Sequence, residues 1–271
     1  MLLPSAGWIG SNECMASEDL RPILSGWPFE PGQITVRIIR GRDGKQKVQM
    51  RLDLGLLQME LDGRPDGQRP KGYESLLDYH LERLARHEER NGTDLGFTLS
   101  SEECQALREE ALMYYHRYLS LFVLEDFARV ERDTARNLRV LDLCRRCAAH
   151  EWDRVVMEQY RPYIVMMNAR ARASQAMRAG TFKSALAHVE AGMRTIREFY
   201  ERHDSSEAYE QSSEVQILRA LRHEIAQRLP IGAIERLKRK LDRALQEERY
   251  EDAARLRDQI KSLQGNAETE A

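Results

Sequence analysis

The chain has 271 residues, 42% of them hydrophobic and 32% charged, with a formal net charge of −2. That is enough chain for one large or two modest domains, and so even a charge balance argues against wrapping a polyanion or coating an anionic membrane. No stretch approaches the roughly 20 apolar residues needed to cross a bilayer.

Residues 1–32 hold several prolines and glycines and little periodicity, and they read as an irregular arm. The segment Met1 to Trp8 has no basic n-region and no sustained apolar stretch, so it fits a secretory signal poorly, and Met15 is the more natural start. Trp27, Pro28 and Phe29 are placed to pin the end of the arm to the core.

Residues 33–72 carry the β signal. Ile34, Val36 and Ile38 alternate with polar residues, Asp43-Gly44 supplies a hairpin turn, and Val48, Met50, Leu52 and Leu54 alternate again. After Gly55 the parity switches to Leu57, Met59 and Leu61, which predicts a bulge or a corner between two strands. Gly63 to Gly67 is a second turn, with Arg64 and Asp66 read as exposed and offering a contact loop. The expected product is a two- or three-stranded antiparallel piece over 33–62. Such a sheet is marginal alone and has to pack on helices or on a second copy.

Residues 73–229 predict helices. Ser75 caps the first, with Leu76, Leu77, His80, Leu81 and Leu84 on one face, and Asn91-Gly92 ends it. Ser100 and Glu103 form a capping box for a helical stretch over about 101–149. Pro162 marks a break, and further helices follow at about 163–178, 182–203 and 207–228. After Phe182, Ala185, Val189, Met193 and Ile196 fall at the same offsets as Val130, Thr134, Leu138 and Leu141 after Phe127. The segment from Ala173 through Gly180 to Gly192 resembles a tetratricopeptide (TPR) helix pair, although Ala169 and Arg172 stand where a large residue is usual. An ordinary antiparallel helix pair gives the same spacing.

Pro230 and Gly232 mark a boundary before a last unit at 231–264, which is followed by an acidic tail at 265–271. Ile234, Leu237, Leu241, Ala244 and Leu245 make one helical stripe, and Ala253, Leu256, Ile260 and Leu263 make another. Tyr250 can cover the turn, and the Ala253-Ala254 pair allows close approach. Arg236, Arg239, Lys240 and Arg243 form a basic face, while Glu247, Glu248, Glu251 and Asp252 are acidic, a separation suited to antiparallel self-pairing or to docking. A hairpin this short buries too little to stand alone and must finish its core against another surface.

These residues, with Tyr250-Glu251, Leu256-Arg257-Asp258 and the closing Ile260 and Leu263, resemble the UVR motif of the bacterial UvrB and UvrC excision-repair proteins. The stretch Asp53 to Gly67 resembles the N-terminal block of bacterial proteins that end in the same motif. The resemblance implies binding rather than catalysis. A protein partner of UvrB/UvrC or Clp type, or a second copy, would dock through Leu237, Leu241, Ala244, Tyr250, Ala253, Leu256, Arg257 and Ile260. The alternatives it implies are an accessory role in nucleotide-excision repair, with contact to UvrB/UvrC or DNA, and regulation of a Clp or protein-arginine-kinase system. No helicase, nuclease or phosphate-loop motif accompanies it.

The fold class expected is therefore mainly α, with a small β-hairpin element, a helical bundle or TPR-like stack, and a C-terminal helical hairpin. Other chemistry is thin. Four cysteines, Cys14, Cys104, Cys144 and Cys147, are too few and too unevenly spaced for a disulfide framework, which points to a reducing, cytoplasmic setting. Cys144-x-x-Cys147 with His150 offers two or three of the four ligands that zinc takes, and buried structural thiols are the plainer reading. Glu109/Glu110 and Glu102/Glu103 read as solvated or capping. Tyr114, Tyr115, Tyr118 and His116 read as packing, and Arg170, Arg172, Arg178 and Arg194 as a candidate basic groove for nucleic acid. No cofactor, membrane contact or catalytic residue is expected.

Overall fold

The computed structural model describes residues 19–228 and 233–269, with side chains described up to 228 and over 237–259. The chain divides into two compact units at Ala171/Arg172, inside the stretch expected as one helical domain. The expected boundary at Pro230–Gly232 and most of the irregular arm lie outside the described residues.

In the first unit a short helix, α1 (Arg21–Leu24), leads to three strands, β1 (Val36–Arg40), β2 (Gln46–Arg51) and β3 (Leu56–Glu60). They form one antiparallel sheet in the order β1-β2-β3. Val36 pairs with Met50 and Ile38 with Val48, and Met50 and Val48 then pair with Leu57 and Met59, so six apolar side chains share a face. Through β2 the sheet packs on a helix, as its small size requires. The parity switch at Gly55 is a turn between two strands and not a bulge. Leu52 N–H donates to Gly55 O at 2.9 Å, closing a tight turn whose register pairs even-numbered residues with odd-numbered ones. Trp27 does pin the arm: it is buried, the Arg37 guanidinium lies 4.0 Å from its ring centroid, and its carbonyl accepts from Arg51 Nε at 2.9 Å.

Helix α2 (Leu76–Asn91) starts at Ser75, whose Oγ accepts from Asp78 N–H, and stops at Gly92, which takes φ 71°. Helix α3 (Ser101–Val123) has the full Ser100/Glu103 capping box. Helix α4 (Phe127–Cys147) follows a short break in which Glu125 adopts φ 57°. α3 and α4 pack along their lengths. With α2 they bury Leu77, Leu84, Leu107, Ala111, Val140 and Leu141 in one core that also holds Cys104, Cys144 and Cys147. Helix α5 (Glu151–Val155) is tied back to α3 through Asp153, which accepts from Ser101 Oγ at 2.6 Å and Arg108 Nη1 at 2.7 Å.

Helix α6 (Arg161–Arg178) has Pro162 in its first turn, where proline costs no backbone hydrogen bond, so this residue starts a helix as well as marking a break. The division between the units falls within α6. In the second unit Gly180 takes φ 72° and turns the chain into α7 (Phe182–Arg202), followed by α8 (Ser206–Gln211) and α9 (Ser213–Arg228). Ala185, Val189, Gly192 and Ile196 on α7 are buried, as are Val215, Leu218 and Ile225 on α9, and these two helices pack together. The last elements are α10 (Ala233–Gln246) and α11 (Tyr250–Thr269). α11 stays helical past 264, where the hairpin was expected to give way to a tail. The chain is therefore mainly α with one small antiparallel sheet, and no helix among the described residues is long and apolar enough to cross a membrane.

Candidate functional site: the C-terminal helical hairpin

The site is built by two helices and a three-residue turn. Arg249 N–H donates to Ala244 O at 2.8 Å, and Glu248 reverses the chain at φ 58°. The turn brings Ala244 (1% exposed) against Ala253 (5%), where methyl side chains let the two backbones approach. Glu251 and Asp252 lie in the first turn of α11, where the helix dipole favours negative charge.

The stripe is only partly closed. Leu237, Leu241 and Leu256 are half-buried, and Leu245 and Tyr250 are 48% and 67% exposed. Two expectations are corrected here: Tyr250 does not cover the turn, and Leu245 does not share the buried stripe. Ala254 is exposed, so Ala253 alone makes the close approach. Arg257 is exposed and paired with Asp258 at 3.0 Å. The side chains of Ile234, Arg236, Ile260 and Leu263 lie outside the described residues. Among the described residues, the two helices bury completely only a pair of alanines, each worth about one methyl group of transfer free energy, roughly 0.8 kcal/mol.

Charge on the hairpin is uneven. Arg249 Nη2 pairs with Glu247 at 2.6 Å and Nη1 with Asp252 at 2.8 Å, and these acids and the helix-turn hydrogen bonds fix the turn. Both acids hold Arg249 above its ordinary value, Glu247 more than Asp252.

The other candidates resolve into structure. Cys144 and Cys147 are buried, whereas His150 is exposed on the far side of Ala148, and no group of three metal-ligating side chains stands together among the described residues. Cys144, Cys147 and His150 are thus not brought together as a three-ligand group. Cys144 instead faces Cys104 across α3 and α4; their thiol contact raises Cys144 and lowers Cys104, and burial raises Cys147. Tyr114 and Tyr118 are buried, and Tyr115 meets Tyr118 edge-on at 5.5 Å, so the aromatic band is packing. Arg170 is half-buried with its guanidinium 4.3 Å from the Phe122 centroid, which removes it from the expected basic groove.

Sequence reasoning missed a buried charged network. Glu110 is 0% exposed rather than solvated: it accepts from Leu76 N–H at 2.8 Å and Leu77 N–H at 3.3 Å, and it pairs with Arg136 and, at 3.4 Å, with Arg64. Arg64 is consequently half-buried against Glu110 rather than exposed, although Asp66 is exposed. Arg117 forms a two-pronged pair with Asp133 at 2.7 and 2.9 Å and donates to Glu60 O and Gly63 O at 3.0 and 2.8 Å. Burial pushes Tyr114, wedged between Arg117 and Arg136, up to about 12, and burial with neighbouring Arg64 pulls Arg136 down. Every polar partner here is a neighbour in the fold, so the network clamps β3 and its following turn onto α3 and α4.

Comparison with known families places the UvrB/uvrC motif (UVR) on residues 232–266, which are α10, the turn and most of α11. No curated protein and no solved structure matches the chain. The matched span lies on the hairpin and does not extend to the sheet or to α2–α9.

Proposed function

We propose that this chain is a non-catalytic docking protein that engages a helical partner, or a second copy of itself, through the α10–α11 hairpin. The observation that carries the reading is the coincidence of a UVR motif with a hairpin that leaves Leu237, Leu241 and Leu256 half-covered and Leu245 and Tyr250 in solvent. Exposed Leu and Tyr side chains clustered on one short element mark a surface that becomes buried on association. Docking residues on this reading are Leu237, Leu241, Ala244, Tyr250, Ala253, Leu256, Arg257 and Ile260, with Leu245 added by its exposure. The excision-repair and Clp-type alternatives differ only in the partner, which would itself present an equivalent helical surface. The TPR-like character of α6–α7 belongs to the same proposal, as a second interaction scaffold turned by Gly180.

The test starts from variants that leave the hairpin's own contacts alone. Leu245→Asp and Tyr250→Asp in the full chain should abolish self-association in size-exclusion light scattering, or strip the proteins co-purified from native lysate, with the melting temperature unchanged. Leu241→Asp and Leu256→Asp should do the same with partial loss of hairpin helicity. Full retention of mass and of co-purified proteins in all four variants contradicts the reading.

A further inference from the structure

Beside the turn, α10 and α11 enclose a groove of about 410 Å³ whose walls are basic. Lys240 and Arg243 stand one turn apart on α10, and Arg255 faces them from α11 next to Leu256. The fourth cation, Arg249, is already neutralised by Glu247 and Asp252. Lys240, Arg243 and Arg255 are exposed, and among the described residues none of them makes an ion pair. Three uncommitted cations around one half-buried leucine form a defined recognition pattern: carboxylates at the rim and an apolar side chain on the floor.

We infer that this groove receives an acidic amphipathic helix of a partner protein, whose Glu or Asp residues meet Lys240, Arg243 and Arg255 while a Leu or Ile covers Leu256. The inference rests on the docking reading above and specifies the partner's chemistry. A helix presents side chains three and four residues apart on one face, which suits a groove whose own cations are spaced by a helical turn. Nucleic acid fits less well. A phosphate backbone carries a charge every few ångströms and calls for an uninterrupted cationic track, whereas here Asp252, Leu256 and Gln259 interrupt the cations that line the groove and Glu247 stands beside it. A buried face rimmed by complementary charge also sets the orientation of the docked helix, since reversing it would bring like charges together.

The experiment is fluorescence anisotropy on the full chain with three labelled probes: a helical peptide of about 20 residues with Leu at every third or fourth position and Glu elsewhere, the same peptide with Lys for Glu, and a DNA duplex of about 20 base pairs. The Glu peptide should bind at least about tenfold more tightly than the Lys peptide. The combined Lys240→Glu, Arg243→Glu and Arg255→Glu variant should lose the Glu peptide by about tenfold or more and gain the Lys peptide, with an unchanged melting curve because all three positions are exposed. Equal binding of the two peptides overturns the inference, as does stronger binding of the duplex that weakens steeply with salt, or a charge-dependent dimer seen by light scattering without peptide binding. If the Glu peptide fails while Leu245→Asp and Tyr250→Asp still abolish association, the acidic-partner inference falls and the docking reading stands. If those two variants, and Leu241→Asp and Leu256→Asp with them, change nothing, the docking reading falls first.

Discussion

The α3–α4 region and the α10–α11 hairpin are both antiparallel helix pairs, yet they treat charge and apolar surface in opposite ways. α3 and α4 close a core around Leu107, Ala111, Val140 and Leu141 and take charges inside with it, each matched: Arg117 to Asp133, and Glu110 to Arg136 and Arg64. Among the described residues, α10 and α11 close on Ala244 and Ala253 and leave Leu237, Leu241 and Leu256 half-covered and Leu245 and the cations exposed. The lesson is about completeness. A pair that closes its core and pairs the charges it buries is a scaffold, whereas one that leaves apolar and charged surface open is specified only together with something else.

The largest effect separating the two regions should come from breaking the matched charges. Asp133→Ala leaves Arg117 buried without its carboxylate, which costs about 3–5 kcal/mol, or roughly 10 °C in melting temperature for a chain of this size. Thermal unfolding followed by circular dichroism checks it. A shift of less than a couple of degrees would mean that the Glu60 and Gly63 carbonyls suffice for Arg117, and the clamp would not be a stability element. Next in size, Ala253→Leu forces three extra carbons into the Ala244 contact, a local penalty of about 1–3 kcal/mol. Because the hairpin shares little core, this variant should speed hydrogen exchange over 233–269 and leave the main melt in place. Accelerated exchange across both units would erase the contrast.

How much of this was legible follows from which signals are periodic. The sheet could be read because its face repeats every second residue, and at Gly55 two alternatives stayed open, since a parity switch along the chain looks the same whether a strand bulges or folds back on itself. The caps at Ser75 and Ser100 and the stop at Gly92 were legible because they depend on side-chain type at fixed offsets. The hairpin was legible through its motif. The buried charges were missed since a lone Glu on a helix is usually solvated, yet a signal existed. Glu110 and Arg117 fall in the stripe of Leu107, Ala111, Tyr114 and Leu121, and Asp133 and Asn137 fall in the stripe of Val130, Val140 and Leu141. Opposite charges at stripe positions of consecutive helices are the pattern to look for. Leu245 and Tyr250 were misplaced for the converse reason: helical periodicity says which residues share a face, and not whether that face has a partner inside the chain.

The smallest effect probes the edge of the clamp, where a matched charge reaches solvent. Asp62, just past β3, accepts from Arg129 at 3.0 and 3.2 Å and from Arg132 at 2.7 Å. Arg129 foremost, and then Arg132, bring its carboxyl down from 3.8 to about 2. The folded state therefore holds that proton more weakly than the unfolded chain does. The pair's contribution is fully present above about pH 4 and disappears as the pH falls from about 4 through about 2. With the Asp62 side chain 68% exposed, solvent screening limits this contribution to less than about 1 kcal/mol. Asp62→Asn should thus be slightly less stable than the parent at neutral pH and equal to it near pH 2, in urea titrations at matched ionic strength. A constant gap at every pH would assign the difference to the hydrogen bonds alone, and the electrostatic clamp would then end at Arg117–Asp133, where water no longer reaches.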